Sequence, residues 1–411
     1  VKPGTVVLEI EQIVAGGYGL ARAPEGTVLV RGALPGELVT ARPTRSAGVL
    51  RAHVVEILRP NPARVDFALP PGADLPMKYE AQLPVKEGLV RAALSRIAKL
   101  DCEVEPIHPS PRELGYRTAA QYVVTSEGTL GARARDSDRI VPLTEDALVA
   151  DPIARAFSVC AARSLHGISE IAFRASLREE RVLVGVVSER VQLAERVALA
   201  LTDSGAAGVV WAAPDARGRF RGRVRVLAGA DRLREDFGGV PATVAVQSFA
   251  QVNPLAAGAM YLEAAELAGA GRRALDLYAG SGVLGLHLAR AFEEVVAVEI
   301  SPDAVRLGEA DARRIGAGNV VFRRGDARIG ARHFPVDAVV LDPPRAGLAA
   351  EVLALVVEHA PPRIVYASCD PSTWARDVGY LARAGYRLRF VRPYDFYPFT
   401  HHVEVLSLLE R

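Results

Sequence analysis

Apolar and polar positions alternate with a period of two along the first stretch of the chain. Residues 6–10, 27–30, 37–40 and 53–57 read as short strands, separated by turn chemistry at Gly16-Gly17-Tyr18-Gly19 and Leu34-Pro35-Gly36-Glu37. About five strands in so short a span predict a small closed barrel of the OB type, which often grips oligonucleotides, or another small β-module. A Pro-rich joint follows over 60–76. The period then changes: over 78–100, Leu83, Leu89, Val90, Ala93, Leu94 and Ile97 fall on one helical face. Strand texture returns from Tyr116 to about Val240. From Val244 onward strands and helices alternate, as in a doubly wound α/β unit. Its strands are expected at 274–278, 294–298, 320–322, 338–341, 363–366, 386–391 and 403–409, the last two close enough for a hairpin.

Composition narrows the class. A chain of 411 residues, half of them hydrophobic, has room for two or three domains and excludes wholesale disorder. Cys102, Cys160 and Cys369 are too few for a disulfide scaffold and too far apart for a zinc site. No stretch approaches the roughly 18 uninterrupted apolar residues of a membrane span, and the opening Val1-Lys2-Pro3-Gly4 leads into strand sequence rather than a signal peptide. A cytoplasmic protein with no membrane partner is the expectation. The net charge of +2 decides nothing about nucleic acid, but nearly all the positive charge is arginine. A GC-rich or thermophilic genome explains that bias, and so does work on phosphate. In Arg217-Gly218-Arg219-Phe220-Arg221-Gly222-Arg223-Val224-Arg225, a strand would carry five guanidinium groups on one face, either a solvated surface or a phosphate-tracking stripe.

Gly280-Ser281-Gly282-Val283-Leu284-Gly285 fits GxGxxG between a strand and a helix. Alone the motif is weak. Asp276 stands before it, Glu299 ends the next strand where a carboxylate can take both ribose hydroxyls, and Asp326 follows the third strand, placed to meet an adenine edge. An acid ahead of the loop would repel a pyrophosphate and suit a cationic sulfonium. The segment therefore reads as a site for S-adenosylmethionine in preference to NAD, with an empty glycine turn as the bland alternative.

Two turns at the same sheet edge carry reactive groups. Leu341-Asp342-Pro343-Pro344-Arg345 follows the fourth strand and would put Asp342 in the crevice. Ser368-Cys369-Asp370-Pro371 follows the fifth, and the helix beginning near Pro371 is expected to lower the Cys369 thiol pKa. Cys102 and Cys160 are expected to be inert core residues. Pyrimidine chemistry gives Cys369 a use: C5 of uracil becomes nucleophilic once a thiolate adds to C6. A base must later remove the C5 proton. Glu404, in Phe399-Thr400-His401-His402-Val403-Glu404, is the candidate, with His401 and His402 as rivals.

With these motifs in hand the sequence resembles the RNA 5-methyluridine methyltransferases. Ser248-Phe249-Ala250-Gln251-Val252-Asn253, residues 276–282, 341–347, 367–371 and 401–404 carry the resemblance, all in the family's order. Residues 1–58 look like the TRAM module of its ribosomal RNA members. The resemblance implies an α/β protein: a Rossmann-like S-adenosylmethionine-dependent methyltransferase domain with an N-terminal OB-like barrel and a β-rich central domain. It divides the chain into 1–58 (RNA-binding barrel), 59–77 with 112–240 (central RNA-binding domain) and 78–111 with 241–411 (catalytic domain). Cys369 would be the nucleophile and Glu404 the proton acceptor. Gln251, Tyr278, Gly280, Gly282, Val283, Glu299, Asp326 and Asp342 would line the cofactor site, with Asp342 and Gln251 also near the flipped base. The implied partner is RNA, 23S rRNA in preference to tRNA, acted on by a monomer. The family's iron–sulfur cysteines are missing: 65–78 has none and the fourth position reads Glu145-Asp146-Ala147. No cluster is expected. Cytosine C5 methylation lacks support, because Cys369 follows Ser368 and not a proline. RNA binding without methyl transfer is the remaining alternative.

Overall fold

The computed structural model describes residues 4–46, 49–134, 138–202 and 204–411. Its first sheet has six strands: β1 (Val6–Glu9), β2 (Gln12–Val14), β3 (Tyr18–Ala23), β4 (Gly26–Arg31), β5 (Leu38–Ser46) and β6 (Val49–Arg59). They run in the order β1-β5-β6-β4-β3-β2 and curl around Leu8, Ile10, Val28, Val30, Val39 and Ala41. The extra strand comes from a hairpin. Only Gly16 and Gly17 turn the chain, with φ of 84° and 69°, while Tyr18 and Gly19 already lie in β3. The joint after β6 is locked to the barrel by the buried Glu37, whose carboxylate pairs with Arg64 and accepts the N–H of Leu34 and Asn61.

α1 (Tyr79–Ala93) continues into a π-helical turn over Leu94–Ala98. Its buried face is in part the expected one: Val90, Ala93 and Leu94 are buried as predicted, but polar residues share it. Ile97 is exposed, and Tyr79, Gln82, Lys86, Val90 and Ala93 point inward. Polar side chains share that face because they bond to the chain's C-terminal segment. Lys86 and Asp395, both fully buried, form an ion pair at 2.6 Å, and Gln82 accepts the Phe399 N–H at 2.6 Å.

The central region is a seven-stranded sheet of β7 (Ala119–Val124), β8 (Leu130–Arg133), β9 (Ile140–Pro142), β10 (Ile168–Ser176), β11 (Arg181–Ser188), β12 (Ala206–Ala212) and β13 (Val224–Gly229), in the order β13-β12-β11-β10-β7-β8-β9. Helices α2 (Asp151–Ala161) and α3 (Val191–Ala200), absent from the sequence reading, pack on it. The arginine stripe is overturned. Gly218 and Phe220 have φ of 122° and 56°, so the chain turns there, and of the five arginines only Arg225 lies in a strand. Acids from elsewhere answer the charge: Arg217 pairs with Asp215, Arg219 with Glu170 and Arg225 with Glu195.

A hairpin of β14 (Leu233–Asp236) and β15 (Pro241–Val244) and the helix α4 (Pro254–Ala268) lead into the last sheet. Its strands are β16 (Gly271–Leu277), β17 (Phe292–Glu299), β18 (Val320–Arg324), β19 (Ala338–Leu341), β20 (Arg363–Ser368), β21 (Arg387–Tyr394) and β22 (Glu404–Glu410). All seven fall where the alternation predicts them. The order β18-β17-β16-β19-β20-β22-β21 is parallel from β18 to β20, with β22 inserted antiparallel between β20 and β21. Side chains alternate across it. Ala274, Val295, Ala338 and Val365 join α4, α5 (Val283–Leu288) and α6 (Pro302–Ile315) on one face. Leu275, Val296, Val339 and Ile364 join α1, α7 (Ala350–His359) and α8 (Pro371–Arg383) on the other. Strand order reverses between β16 and β19, and crevices for ligands open at the carboxyl ends beside such a reversal. Among the described residues no helix is long and apolar enough to cross a membrane.

Candidate active site

The glycine loop leaves β16 by three left-handed residues, Tyr278, Gly280 and Gly282, with φ of 65°, 57° and 75°. The third is a close approach as well as a turn: a Cβ on Gly282 would lie within 2.4 Å of the Phe322 ring. Glu299, at the end of β17, braces the loop. Its Oε2 accepts the Gly280 N–H at 2.9 Å and its Oε1 the Ser301 N–H at 2.7 Å, leaving each oxygen capacity for a further donor. Asp276 lies beneath the loop, 1% exposed, and its Oδ2 finds no hydrogen-bond partner among the described residues. Burial, with Asp342 and Glu299 adding, pushes its carboxyl up to about 8. Asp326 instead accepts the Arg328 N–H at 3.0 Å and pairs with the Arg328 guanidinium at 2.7 Å, which holds its carboxyl below the usual range. Val283 is buried at the start of α5.

The reactive groups meet at the same edge. In the β20–β22 ladder Ser368 pairs with Val405, so one further step of the register sets Cys369 beside Glu404. Asp342 follows β19, the neighbouring strand. Glu404 is 2% exposed; burial, with Asp342 adding and Arg345 opposing, pushes its carboxyl up to about 8. Burial pushes Asp342 up to about 7. The Cys369 thiol goes up to about 12 and not down, chiefly through burial, with Glu404, Asp342 and Asp370 adding and Arg345 opposing. The expectation of a lowered thiol fails first because the sulfur is buried beside Glu404, and the helix end gives no offset. The N-terminus of α8 is capped by Asp370, which accepts the N–H of Ser372 at 2.8 Å and of Thr373 at 3.0 Å. The helix end therefore serves a carboxylate, and the thiol gains an anionic neighbour.

Gln251 sits on a loop clasped from the central sheet. Thr118 donates its N–H to Val252 O at 2.7 Å, and Arg174 donates to Ser248 O at 3.1 Å and Ala250 O at 3.4 Å. Asn253 caps α4 and donates to Phe396 O at 3.1 Å. Two tyrosines escaped the sequence reading. Tyr261, on α4, is buried within electrostatic reach of Asp342, Glu404 and Asp276, and Tyr397 within reach of Glu404 and Cys369. Burial raises both phenols. Tyr261 was hidden because α4 is apolar nearly throughout, so nothing in its pattern marks one buried hydroxyl as special. His402 packs against Tyr397 with ring centres 5.8 Å apart and lies 3.4 Å from the Arg345 guanidinium; His401 turns to Asp74. Of the other thiols, Cys160 is in the central core, as expected, but Cys102 is only half-buried.

An open-ended parallel sheet with a glycine loop over a carboxylate, and reactive side chains along the same edge, defines the class of Rossmann-like methyltransferases. Residues 243–411 match the family model for tRNA (uracil-5-)-methyltransferase. An uncharacterized RNA methyltransferase of Gloeobacter violaceus is 32% identical over 444 residues, which span 99% of this chain and 96% of the relative. One from Streptomyces avermitilis is 31% identical over 98% of this chain and 97% of its own. The chain belongs to this family of RNA (uracil-5-) methyltransferases. In fold it is similar to the crystal structure of the Pyrococcus abyssi tRNA (uracil-54, C5)-methyltransferase in complex with S-adenosyl-L-homocysteine. That match has a TM-score of 0.80 at 24% identity, over 98% of this chain and 100% of the other.

Proposed function

We propose that this enzyme methylates uridine C5 in RNA through a covalent bond from Cys369 Sγ to C6, with S-adenosylmethionine as donor. The observation that carries the reading is the β20–β22 register, which brings a thiol and a carboxyl together at the edge holding the glycine loop. The donor pocket fits a cation: the Asp276 carboxylate is buried and its Oδ2 unpartnered among the described residues, and Asp342 lies nearby. Asp276 and Asp342 would hold the amino-acid and sulfonium end, Glu299 the ribose and Asp326 the adenine, with Gln251, Tyr278, Gly280, Gly282 and Val283 shaping the walls. When bound, the donor supplies a methyl group on a positively charged sulfur.

Cys369 acts as a thiolate. Its sulfur bonds to C6, and the electron pair of the C5–C6 double bond moves onto C5 and O4, making C5 the nucleophile. Once C5 is methylated it carries both a methyl group and a proton. Glu404 takes that proton, the C5–H electrons restore the double bond, and the C6–S bond breaks to return the thiolate. The cation that Asp276 and Asp342 attract also favours their ionised forms and that of Cys369. The target base has to leave its stack to reach the sulfur, at a cost of about a few kcal/mol.

Residues 1–58 form the RNA-binding barrel in this reading. Tyr18 there lies between the guanidinium groups of Arg31 and Arg51, at 5.6 and 5.5 Å from its ring centre, a pairing suited to phosphate and base stacking. Residues 59–77 with 112–240 form the central RNA-binding domain, and 78–111 with 241–411 the catalytic one. The target is 23S rRNA, on the resemblance of the barrel to the TRAM module. A second reading, tRNA, is favoured by the archaeal tRNA enzyme, whose fold covers 98% of this chain, barrel included. We expect a cytoplasmic monomer without an iron–sulfur cluster; stoichiometric iron and sulfide in anaerobically purified protein would overturn the last point. The deciding experiment offers 5-fluorouridine RNA to wild type and Cys369→Ala. Wild type is expected to form a covalent complex that the variant does not, and absence of that complex from active wild-type enzyme would sink the adduct route. Undermethylated 23S rRNA and tRNA, offered separately with labelled donor, divide the two targets.

A further inference from the structure

Residues 395–403, between β21 and β22, end one residue before Glu404, and this irregular segment is tied down from outside. Several ties are buried in the body of the molecule: Lys86 on Asp395, Gln82 on Phe399, and the Tyr116 hydroxyl donating to Pro398 O at 3.1 Å. The joint that leaves the barrel adds others: the Leu75 N–H donates to Phe399 O at 3.0 Å, Phe67 packs edge-on against the Phe399 ring, and Asp74 reaches His401. Asp74 Oδ1 accepts the His401 N–H at 2.7 Å, and its Oδ2 lies 2.7 Å from His401 Nδ1, with the two side chains only 9% and 13% exposed. Above this pair sits the β2–β3 turn of the barrel. A Cβ on Gly17 would lie 2.5 Å from Asp74 Oδ2 and 2.9 Å from His401 Nδ1. Barrel, joint and catalytic loop thus close on one another with no room for a methyl group. From His401 the contact runs inward to His402, ring centres 4.1 Å apart, and on to Tyr397 and Arg345 beside the reactive groups.

We infer that Asp74, acting through His401, is a positioning residue for removal of the C5 proton, and that it makes docking of the barrel part of active-site assembly. The inference rests on the reading of Glu404 as proton acceptor. The carboxylate fixes the His401 ring, since Asp74 accepts from Nδ1 and from the backbone N–H of the same residue. That anchors the chain three positions before Glu404, and a displacement of about 1 Å at a reacting group costs on the order of 100-fold in rate. Cys369 is held differently. It follows β20, and its turn is set by Asp370 capping α8, contacts in which Asp74 has no share. The direct hold of Asp74 is therefore on the segment that carries Glu404, so its loss is expected to slow proton removal far more than formation of the thiol adduct.

The test uses the full chain with Asp74→Ala, Asp74→Asn and Gly17→Ala, and reads kcat, KM for RNA, covalent capture on 5-fluorouridine RNA and the melting temperature. Asp74→Ala and Gly17→Ala are expected to lower kcat about 10- to 100-fold, with KM and the rate of covalent capture within about threefold of wild type. Asp74→Asn keeps an acceptor for the His401 N–H and is expected to recover part of the loss. On ordinary uridine RNA, Asp74→Ala is expected to accumulate the methylated adduct. Unchanged kcat overturns the inference, and so does a parallel fall in kcat and capture, which marks a merely structural contact. Should Asp74→Ala fail to fold, Gly17→Ala and Asp74→Asn carry the same expectations. Failure of wild type itself to be captured overturns the parent reading instead, and the two failures are therefore distinct.

Discussion

Between Asp276 and Asp326 the donor edge braces itself: Glu299 holds the Gly280 N–H, Phe322 packs under Gly282, and Asp326 is held by Arg328. The acceptor edge does the reverse. Cys369 and Glu404, with Asp342 and Gln251 shared between the two edges, come from four separate segments, and the loop before Glu404 is held by Asp74, Gln82, Lys86 and Tyr116 from the other end of the chain. A site for a common small cofactor can be carried by one stretch of sequence. A site for a base inside a folded RNA is set where several parts of the protein meet, so its precision depends on long-range contacts.

Substitutions can break this contrast in order of severity. Cys369→Ala has the largest expected effect, at least about 1000-fold in methyl transfer, with donor affinity unchanged by calorimetry. Loss of donor binding would show that the two edges are not separable. Glu404→Gln is expected to cost about 10²- to 10⁴-fold while retaining covalent capture, which a gel under denaturing conditions reports.

The same variant carries a pH signature. A carboxyl held up at about 8 is protonated below that pH, so kcat for wild type should rise with pH toward about 8, and Glu404→Gln should lose that part of the rise while the raised Cys369 thiol keeps its own. Stability has the opposite sign. A folded-state pKa raised above the unfolded value contributes stability that is complete below the unfolded value and is lost as pH rises through about 8. Glu404→Gln should then melt higher than wild type at pH 9, by roughly 2 °C, with the gap shrinking toward pH 5. A constant gap would mean the carboxyl is not the titrating group.

Asp276→Asn tests the donor edge alone: donor affinity is expected to fall about 10-fold, with RNA affinity unchanged. The smallest effect belongs to Arg174→Met, which frees the loop carrying Gln251 from the central sheet. Turnover is expected to drop about fivefold, with donor affinity within twofold. A drop in donor affinity as large as that of Asp276→Asn would show that Gln251 serves the donor more than the base.

The contrast also sorts what the sequence disclosed. All seven strands of the last sheet were legible: those in its middle, buried on both faces, read as short apolar runs, and the edge strands β18 and β21 keep enough apolar positions to show. The carboxylates at the donor edge were legible too, since Asp276 and Glu299 stand at or near the ends of β16 and β17 and Asp326 follows β18. The α1 face was read only in part, because Gln82 and Lys86 look like solvent positions until the loop at 395–399 is laid over them. The arginine run was read as a strand although Gly218 and Gly222 sit in it, and the acids that answer it lie elsewhere in the chain. Tyr261 and Tyr397 gave no local signal at all.

What the sequence determined by itself is periodicity and chemistry: where strands end, which turns hold glycine, and that a thiol, carboxylates and a glycine loop are present in an order matching uracil-5 methyltransferases. Tertiary structure alone decided the environments. It buried Cys369 beside Glu404 and so raised the thiol that was expected to be lowered, turned the α8 N-terminus over to Asp370, and seated the barrel turn on Asp74 and His401. Burial and the charges brought near by distant segments fix a group's proton affinity, and neither quantity exists until the chain has closed on itself.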